Sequence, residues 1–361
     1  MCAHEPGGEG STYNISVHLV GWRGCSDRLR CVSFAIAAIP VRMDTRTFVL
    51  VLLALFLSVV CASRALPETP DLVRYRYIYD TLTNTQPFLG RFEPGYVLSM
   101  LVAKFVYRVR FDTFLFSFTA ISLLLKFAAF VRLTRSALLA SLTYTFLLFY
   151  QTEFTAMREA MAIGFAYLAI ADASVGNYRR ASVLFFVATM FHYSIAVLAA
   201  STAVFLLAWK WPRPVIALTA IVALTVFAEW PAIAKFVIGH AGSQLSGEIS
   251  GVAKESFEAM FTLPRLAFFA SVFSIPAFTK PWADRSNALL FFLGLVGAGV
   301  AIALSGVPVI GVRLLELFEM APVLLALRAP INSLRIVPAL GFGLTAAWTS
   351  LPTWLSTFGV G

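Results

Sequence analysis

Asp71, Tyr75 and Tyr79 recur every four residues in the segment DLVRYRYIYD. On a helix that spacing puts one carboxylate and two phenols on a single face. Sugars stack on aromatic rings and hydrogen-bond to carboxylates, so the face suits carbohydrate; an interfacial tyrosine belt behind a capping aspartate is the structural alternative. Glu93-Pro94-Gly95-Tyr96 brings a second carboxylate and another phenol to a point where proline would open a helix, and a plain helix start explains it equally. Arg158 and Glu159 form a charged pair at the edge of the apolar run FTAMREAMAIGFAYL. Charge at that depth is costly and points to a functional site, and arginine is shaped for bidentate phosphate binding; a snorkelling interfacial arginine is the alternative. His192, in MFHYS, reads as an acid–base group or as a hydrogen-bonding residue on an apolar helix. Arg313, in GVRLLELFEM, precedes Glu316 and Glu319 at helical spacing, which fits a second cation for an anionic substrate or an intramembrane ion pair.

These residues sit between long apolar runs. A span takes about 20 residues, and the candidates are 47–65, 111–131, 136–152, 155–173, 180–193, 194–209, 214–230, 264–279, 287–304, 312–327 and 335–352. The expected architecture is all-α, a polytopic transmembrane helical bundle of about 10–12 spans. Residues 180–209 are expected as two short helices broken near Tyr193, with one tilted helix as the alternative. Two polar segments, 66–92 and 239–262, are long loops of the kind that carry function. Residues 93–110 are read as an interfacial or re-entrant helix. With that assignment the basic pairs Arg42/Arg46, Arg132/Arg135, Arg179/Arg180, Lys210/Arg213, Lys280/Arg285 and Arg328/Arg335 all fall on the cytoplasmic side. Both long loops, Arg158, Arg313 and the outer end of the His192 helix then share the opposite face, whose loop would carry short interfacial helices.

Composition agrees. The 361 residues are 59% hydrophobic and 13% charged, too apolar for one soluble core. The net charge of +9 lies mostly in short loops, the pattern that orients membrane proteins, and no recognition motif supports nucleic-acid binding. Cys2, Cys25, Cys31 and Cys61 show neither zinc nor disulfide spacing. There is no P-loop and no dinucleotide fingerprint, and GHAGS is not a nucleophile elbow. Residues 1–42 are Gly-rich and polar and do not read as a signal peptide. They are expected to be a non-structural extension ahead of a single membrane domain, 43–361, with translation starting at Met43.

The ordered set of motifs resembles the EpsG-like polysaccharide polymerases, Wzy-type proteins of bacterial capsule, exopolysaccharide and O-antigen assembly. That family's pattern is met here by Arg64 closing an early helix and by Asp71, Tyr75 and Tyr79 in D-x-x-x-Y-x-x-x-Y. The acidic-Pro-Gly-aromatic step at 93–96, the Arg158-Glu159 pair, the basic turn GNYRR at 176–180, Phe191-His192-Tyr193-Ser194 and Arg313 follow in order. Glu159 stands where the family has glutamine, and the second aromatic expected after Arg313 is displaced to Phe318. The resemblance implies a glycosyltransferase, a polymerase joining lipid-linked oligosaccharide repeat units on the outer face of the bacterial cytoplasmic (inner) membrane, its site facing the periplasm. The substrates would be undecaprenyl-pyrophosphate-linked oligosaccharides, in a setting of membrane lipid, flippase and chain-length regulator proteins. Asp71 is the first choice for general base and Glu93 the second; Arg158 and then Arg313 would stabilise the departing pyrophosphate. His192 would bind pyrophosphate or act as base. Tyr75, Tyr79, Tyr96, Arg64 and Glu159 would bind substrate. No cofactor is required; a divalent metal bridging carboxylate and pyrophosphate is compatible, though no ligand cluster demands one. The alternatives are a single-addition transferase using a polyprenyl phosphate donor, and a transporter of lipid-linked glycans, which would show inverted repeats.

Mass spectrometry of the purified protein should find Met43 as its N-terminus; a peptide from residues 11–22 would overturn that start.

Overall fold

The structure is a computed structural model that describes residues 44–63, 70–82, 92–209, 263–278, 281–304 and 308–328. The proposed extension 1–42, Arg64, the loop 239–262 and the expected spans 214–230 and 335–352 lie outside the described residues. The chain divides into two units, 1–53 and 54–361. The described part of the first unit is the opening of helix α1 (Thr45–Ser63), capped by Asp44, whose carboxylate accepts from the Thr47 amide at 3.0 Å.

The second unit holds the end of α1 and all that follows. Next come α2 (Pro70–Thr81), α3 (Pro94–Leu101) continued by a π-helical turn (Val102–Val106), and α4 (Phe111–Leu133). Then come α5 (Ala137–Leu147) with a second π-helical turn (Tyr150–Thr155), α6 (Met157–Ser174), α7 (Tyr178–Phe191) and α8 (Ile195–Ala208). Last are α9 (Leu263–Phe278), a 3₁₀ turn (Pro281–Ala283), α10 (Arg285–Ala303) and α11 (Pro308–Arg328). No strand occurs among the described residues, and the protein is an all-α membrane protein. Among them α1, α4 and α10 are long and apolar enough to cross a bilayer. Pro94–Val106 is apolar but shorter; its 13 residues reach about 20 Å, against a hydrocarbon core of about 30 Å.

Local chemistry explains most boundaries. Pro94 sits at the first position of α3, where its missing N–H is no loss. Residues 180–209 do break: α7 ends at Phe191, His192 is extended (φ −158°, ψ 118°), and α8 starts at Ile195. The expected helix 136–152 is instead divided. α5 stops at Leu147 and the chain widens into the π-helical turn, then kinks at Ala156 (φ −118°, ψ 54°) before α6. The reason is tertiary, since Glu153 within that turn is drawn to Lys126 of α4.

Helix α6 is the axis of the second unit, packed between α4 and α7. Its Tyr167 hydroxyl donates to the Leu317 carbonyl of α11 at 3.1 Å. An aromatic ladder ties α2, α3, α4 and α7 together. Tyr79 stacks on Phe114, Phe114 meets Phe118, and Phe118 contacts both Tyr96 and Phe191, with centroid distances of 5.3, 5.3, 5.6 and 6.0 Å. The ladder ends beside His192. At the opposite end of α6, Asp172 is gripped by Arg132 at 3.2 Å and Arg180 at 3.0 Å. The Arg132 and Arg180 ends of α4 and α7 therefore meet at one end of α6.

Close packing between α10 and α11 depends on Gly297, where an added Cβ would run into the Cβ of Phe318. Gly297→Val should lower thermal stability in detergent by about 1–3 kcal/mol through overpacking. Gly299→Ala, whose Cβ would meet nothing within 4 Å, should leave the melting temperature unchanged or raised.

Candidate functional site

Glu93 is the centre of the cluster. It precedes proline, which holds it in extended backbone (φ −63°, ψ 139°). Its carbonyl accepts the Tyr96 and Val97 amides at 3.1 and 3.2 Å, but its side chain makes no capping bond. The carboxylate turns inward. One oxygen pairs with Arg158 Nη1 and the other meets His192 Nδ1 at 3.1 Å. Three segments remote in sequence thus supply an acid, a guanidinium and an imidazole. Gly95 permits the approach: a Cβ there would lie 2.9 Å from the Met190 carbonyl oxygen, near the end of α7, so any larger residue would push Glu93 away from His192.

Aromatic rings wall the cluster. Arg158 Nε donates to the Tyr75 hydroxyl at 3.2 Å, and its guanidinium lies 5.7 Å from the Tyr75 ring centroid and 5.0 Å from that of Phe92. Tyr75 packs against Tyr96 at 5.4 Å, and the buried Tyr96 hydroxyl has no hydrogen-bond partner among the described residues. Arg74 approaches the Phe92 ring to 5.4 Å. The rings lower the local dielectric around the largely buried Glu93 carboxylate, which strengthens its contacts, while Arg158 and His192 stay partly exposed. Burial opposes ionisation of Glu93, but the His192 hydrogen bond and the Arg158 charge outweigh it and hold the carboxyl below its usual range. Burial pushes the Tyr75 phenol up, against the pull of Arg158.

The remaining expected residues fall around this centre. Asp71 is half-buried one turn from Tyr75 and close enough to act on it electrostatically. Glu159 is buried, with one oxygen 3.8 Å from His192 Nε2 and the other without a hydrogen-bond partner among the described residues. Arg313 is exposed on α11 and lies within electrostatic reach of Glu159, as does Glu316. Tyr79 is placed apart: its hydroxyl donates to the Val109 carbonyl at 2.8 Å and its ring packs on Phe111 and Phe114. It docks α2 rather than facing Arg158. Among the described residues no three His, Cys, Asp or Glu side chains gather as a metal site.

Two further charged residues stand behind the cluster. Lys126 Nζ pairs with Glu153 Oε1 at 2.6 Å, with both side chains almost fully buried at 0% and 1% exposure. The sequence contains a signal for them, a lysine in the middle of the apolar run 111–133, because intramembrane charge always needs an account.

The EpsG family model matches residues 47–339, and the chain belongs to that family of polysaccharide-polymerase-type membrane proteins. No curated protein and no solved structure matches the chain.

The depressed Glu93 carboxyl contributes stability above the ordinary carboxylate range, and that contribution disappears as pH falls through the folded-state value. Glu93→Gln should therefore be less stable than wild type at pH 7, and the gap should close on acidification below about pH 4. Melting curves of both proteins across pH check this; a gap that is constant with pH would contradict it.

Proposed function

We propose that this EpsG-family protein is a membrane glycosyltransferase that polymerises lipid-linked oligosaccharide repeat units into exopolysaccharide, capsule or O-antigen. The observation that carries the reading is the convergence of Glu93, Arg158 and His192, from three separate segments, inside an aromatic shell. That combination suits transfer of a sugar away from pyrophosphate. Arg158 is the cation for the developing phosphate charge, the buried Tyr75 and Tyr96 rings pack behind it, and a carboxylate is at hand to take a proton.

In the reaction an acceptor hydroxyl oxygen forms a bond to the anomeric carbon. The bond from that carbon to the pyrophosphate oxygen breaks, and its electron pair leaves with lipid pyrophosphate. The hydroxyl proton passes to a carboxylate. In the resting site Glu93 neutralises Arg158, so an arriving pyrophosphate competes for the guanidinium and releases Glu93 beside His192. Base strength then appears only when donor is bound. Asp71, less buried and on the same helix as Tyr75, is the other carboxylate able to serve. Glu159 lies on the Nε2 side of His192, and Arg313 acts electrostatically on Glu159.

Sidedness follows from charge. The Asp172 end of α6 carries Arg132 and Arg180 and belongs in the cytoplasm. Arg158 lies 14 residues earlier on α6, about 21 Å away along the helix axis, and that separation supports our reading of the cluster as outer-facing. The substrates are then undecaprenyl-pyrophosphate-linked glycans, with a flippase supplying them and a chain-length regulator as companion.

Deleting the gene in its own host should collapse a surface-glycan ladder to single repeat units. Wild type should restore the ladder, while Arg158→Ala, Glu93→Gln and Asp71→Asn, each shown to be present in the membrane, should restore little of it, with losses of about 10²-fold or more for Arg158→Ala. An unchanged ladder on deletion would reject polymerisation, and loss of one sugar without loss of length would indicate a single-addition transferase.

A further inference from the structure

Arg158 is held by a structure that its own contacts do not explain. It is the second residue of α6, two residues past the kink at Ala156 that follows the π-helical turn Tyr150–Thr155. Two helical pieces joined at a kink can hinge, and the guanidinium would swing with them. Lys126 closes that hinge. Its ammonium donates to Glu153 Oε1 on one side of the kink at 2.6 Å and to the Ala160 carbonyl on the other at 2.6 Å, with Ser122 Oγ as third acceptor at 2.7 Å. All three ammonium protons are used. Glu153 is tied down in turn. Its carboxylate accepts from Tyr144 and Ser122, each at 3.1 Å, and its carbonyl accepts from Cys61 Sγ at 3.4 Å. Tyr144 and Thr152 hydroxyls share a bond of 2.6 Å.

Stability does not account for such a pair. Two ions taken out of water are seldom more stabilising than well-packed apolar groups of the same volume, and an intramembrane ion pair is expected to have a function. What this pair does geometrically is bridge residues 153 and 160, with Arg158 and Glu159 enclosed between the two attachment points. We infer that Lys126 and Glu153 are positioning residues, a buried ionic clamp across the Ala156 kink that aims Arg158 at Glu93 and at an incoming pyrophosphate. The role of Arg158 toward pyrophosphate rests on the polymerase reading; the clamp itself does not.

The test is a double-mutant cycle on thermal unfolding of the full chain in detergent. Glu93→Ala and Arg158→Ala, alone and together, should be non-additive by about 3 °C or more, because the two groups share one ion pair. The cycle is then repeated with Lys126→Met and Glu153→Leu, an apolar replacement of similar volume that should fold. With the clamp gone the non-additivity should fall to near zero, and the same variant should lose the glycan ladder on complementation. If Lys126→Met/Glu153→Leu does not accumulate in the membrane, Lys126→Met/Glu153→Gln, which removes the ammonium that bridges residues 153 and 160 and leaves no unpaired buried charge, carries the same cycle. An unchanged non-additivity in the clamp-free protein overturns the inference. A lost non-additivity in a host whose ladder survives gene deletion upholds the clamp and rejects the polymerase reading. A lost non-additivity with wild-type ladder restoration would overturn the functional importance of the clamp, since Arg158 would then work without being aimed.

Discussion

A charge carried into an apolar helical bundle must find a counter-charge before the helices close around it, because an isolated buried ion is worth several kcal/mol of instability. The described structure is organised by that requirement. Lys126 meets Glu153 between α4 and the turn before α6; Glu93 meets Arg158 and His192 at one end of α6; Asp172 meets Arg132 and Arg180 at the other. Every one of these clusters takes a member from α6 or from the turn leading into it. A shift of α6 along its axis would break pairs at both ends together, so its register is fixed by electrostatics as well as by packing.

The same requirement shapes the chemistry. At rest Glu93 is occupied on both oxygens, which makes the site stable when empty and leaves its basicity suppressed. In the proposed reaction an anionic ligand that takes over Arg158 would reverse both conditions at once. Phe92 and Tyr75 lie against the guanidinium and restrict its plane. Asp71 lies outside this competition, half-exposed on the neighbouring turn, and the two carboxylates differ in environment even though the sequence presents them alike.

Much of the local structure was legible from spacing and residue type. The four-residue repeat of Asp71, Tyr75 and Tyr79 fitted a short helix within the loop 66–92, the acid before Pro94 marked a helix start, and the polar interruption at His192 marked a break between two helices; all three are present. The division of residues 136–155 was not legible, because a π-helical turn and the kink at Ala156 answer a partner on another helix and leave no period in the chain. Tyr75 and Tyr79 are equivalent on paper. In the fold one faces Arg158 and the other is consumed by the Val109 carbonyl, a distinction set by where the 107–110 corner returns.

Hydropathy and helical period are local properties that survive without a fold, and they suffice to make this a membrane protein of helices and to set the order of its charged and aromatic residues. Packing of remote helices is what turns Glu93 from its helix cap to Arg158 and His192, makes room for that turn at Gly95 against Met190, and closes Lys126 over the kink beside Arg158. Those choices pair groups 65, 99 and 34 residues apart. Contacts at such separations follow from the way buried charge is shared among packed helices, which no single segment can express.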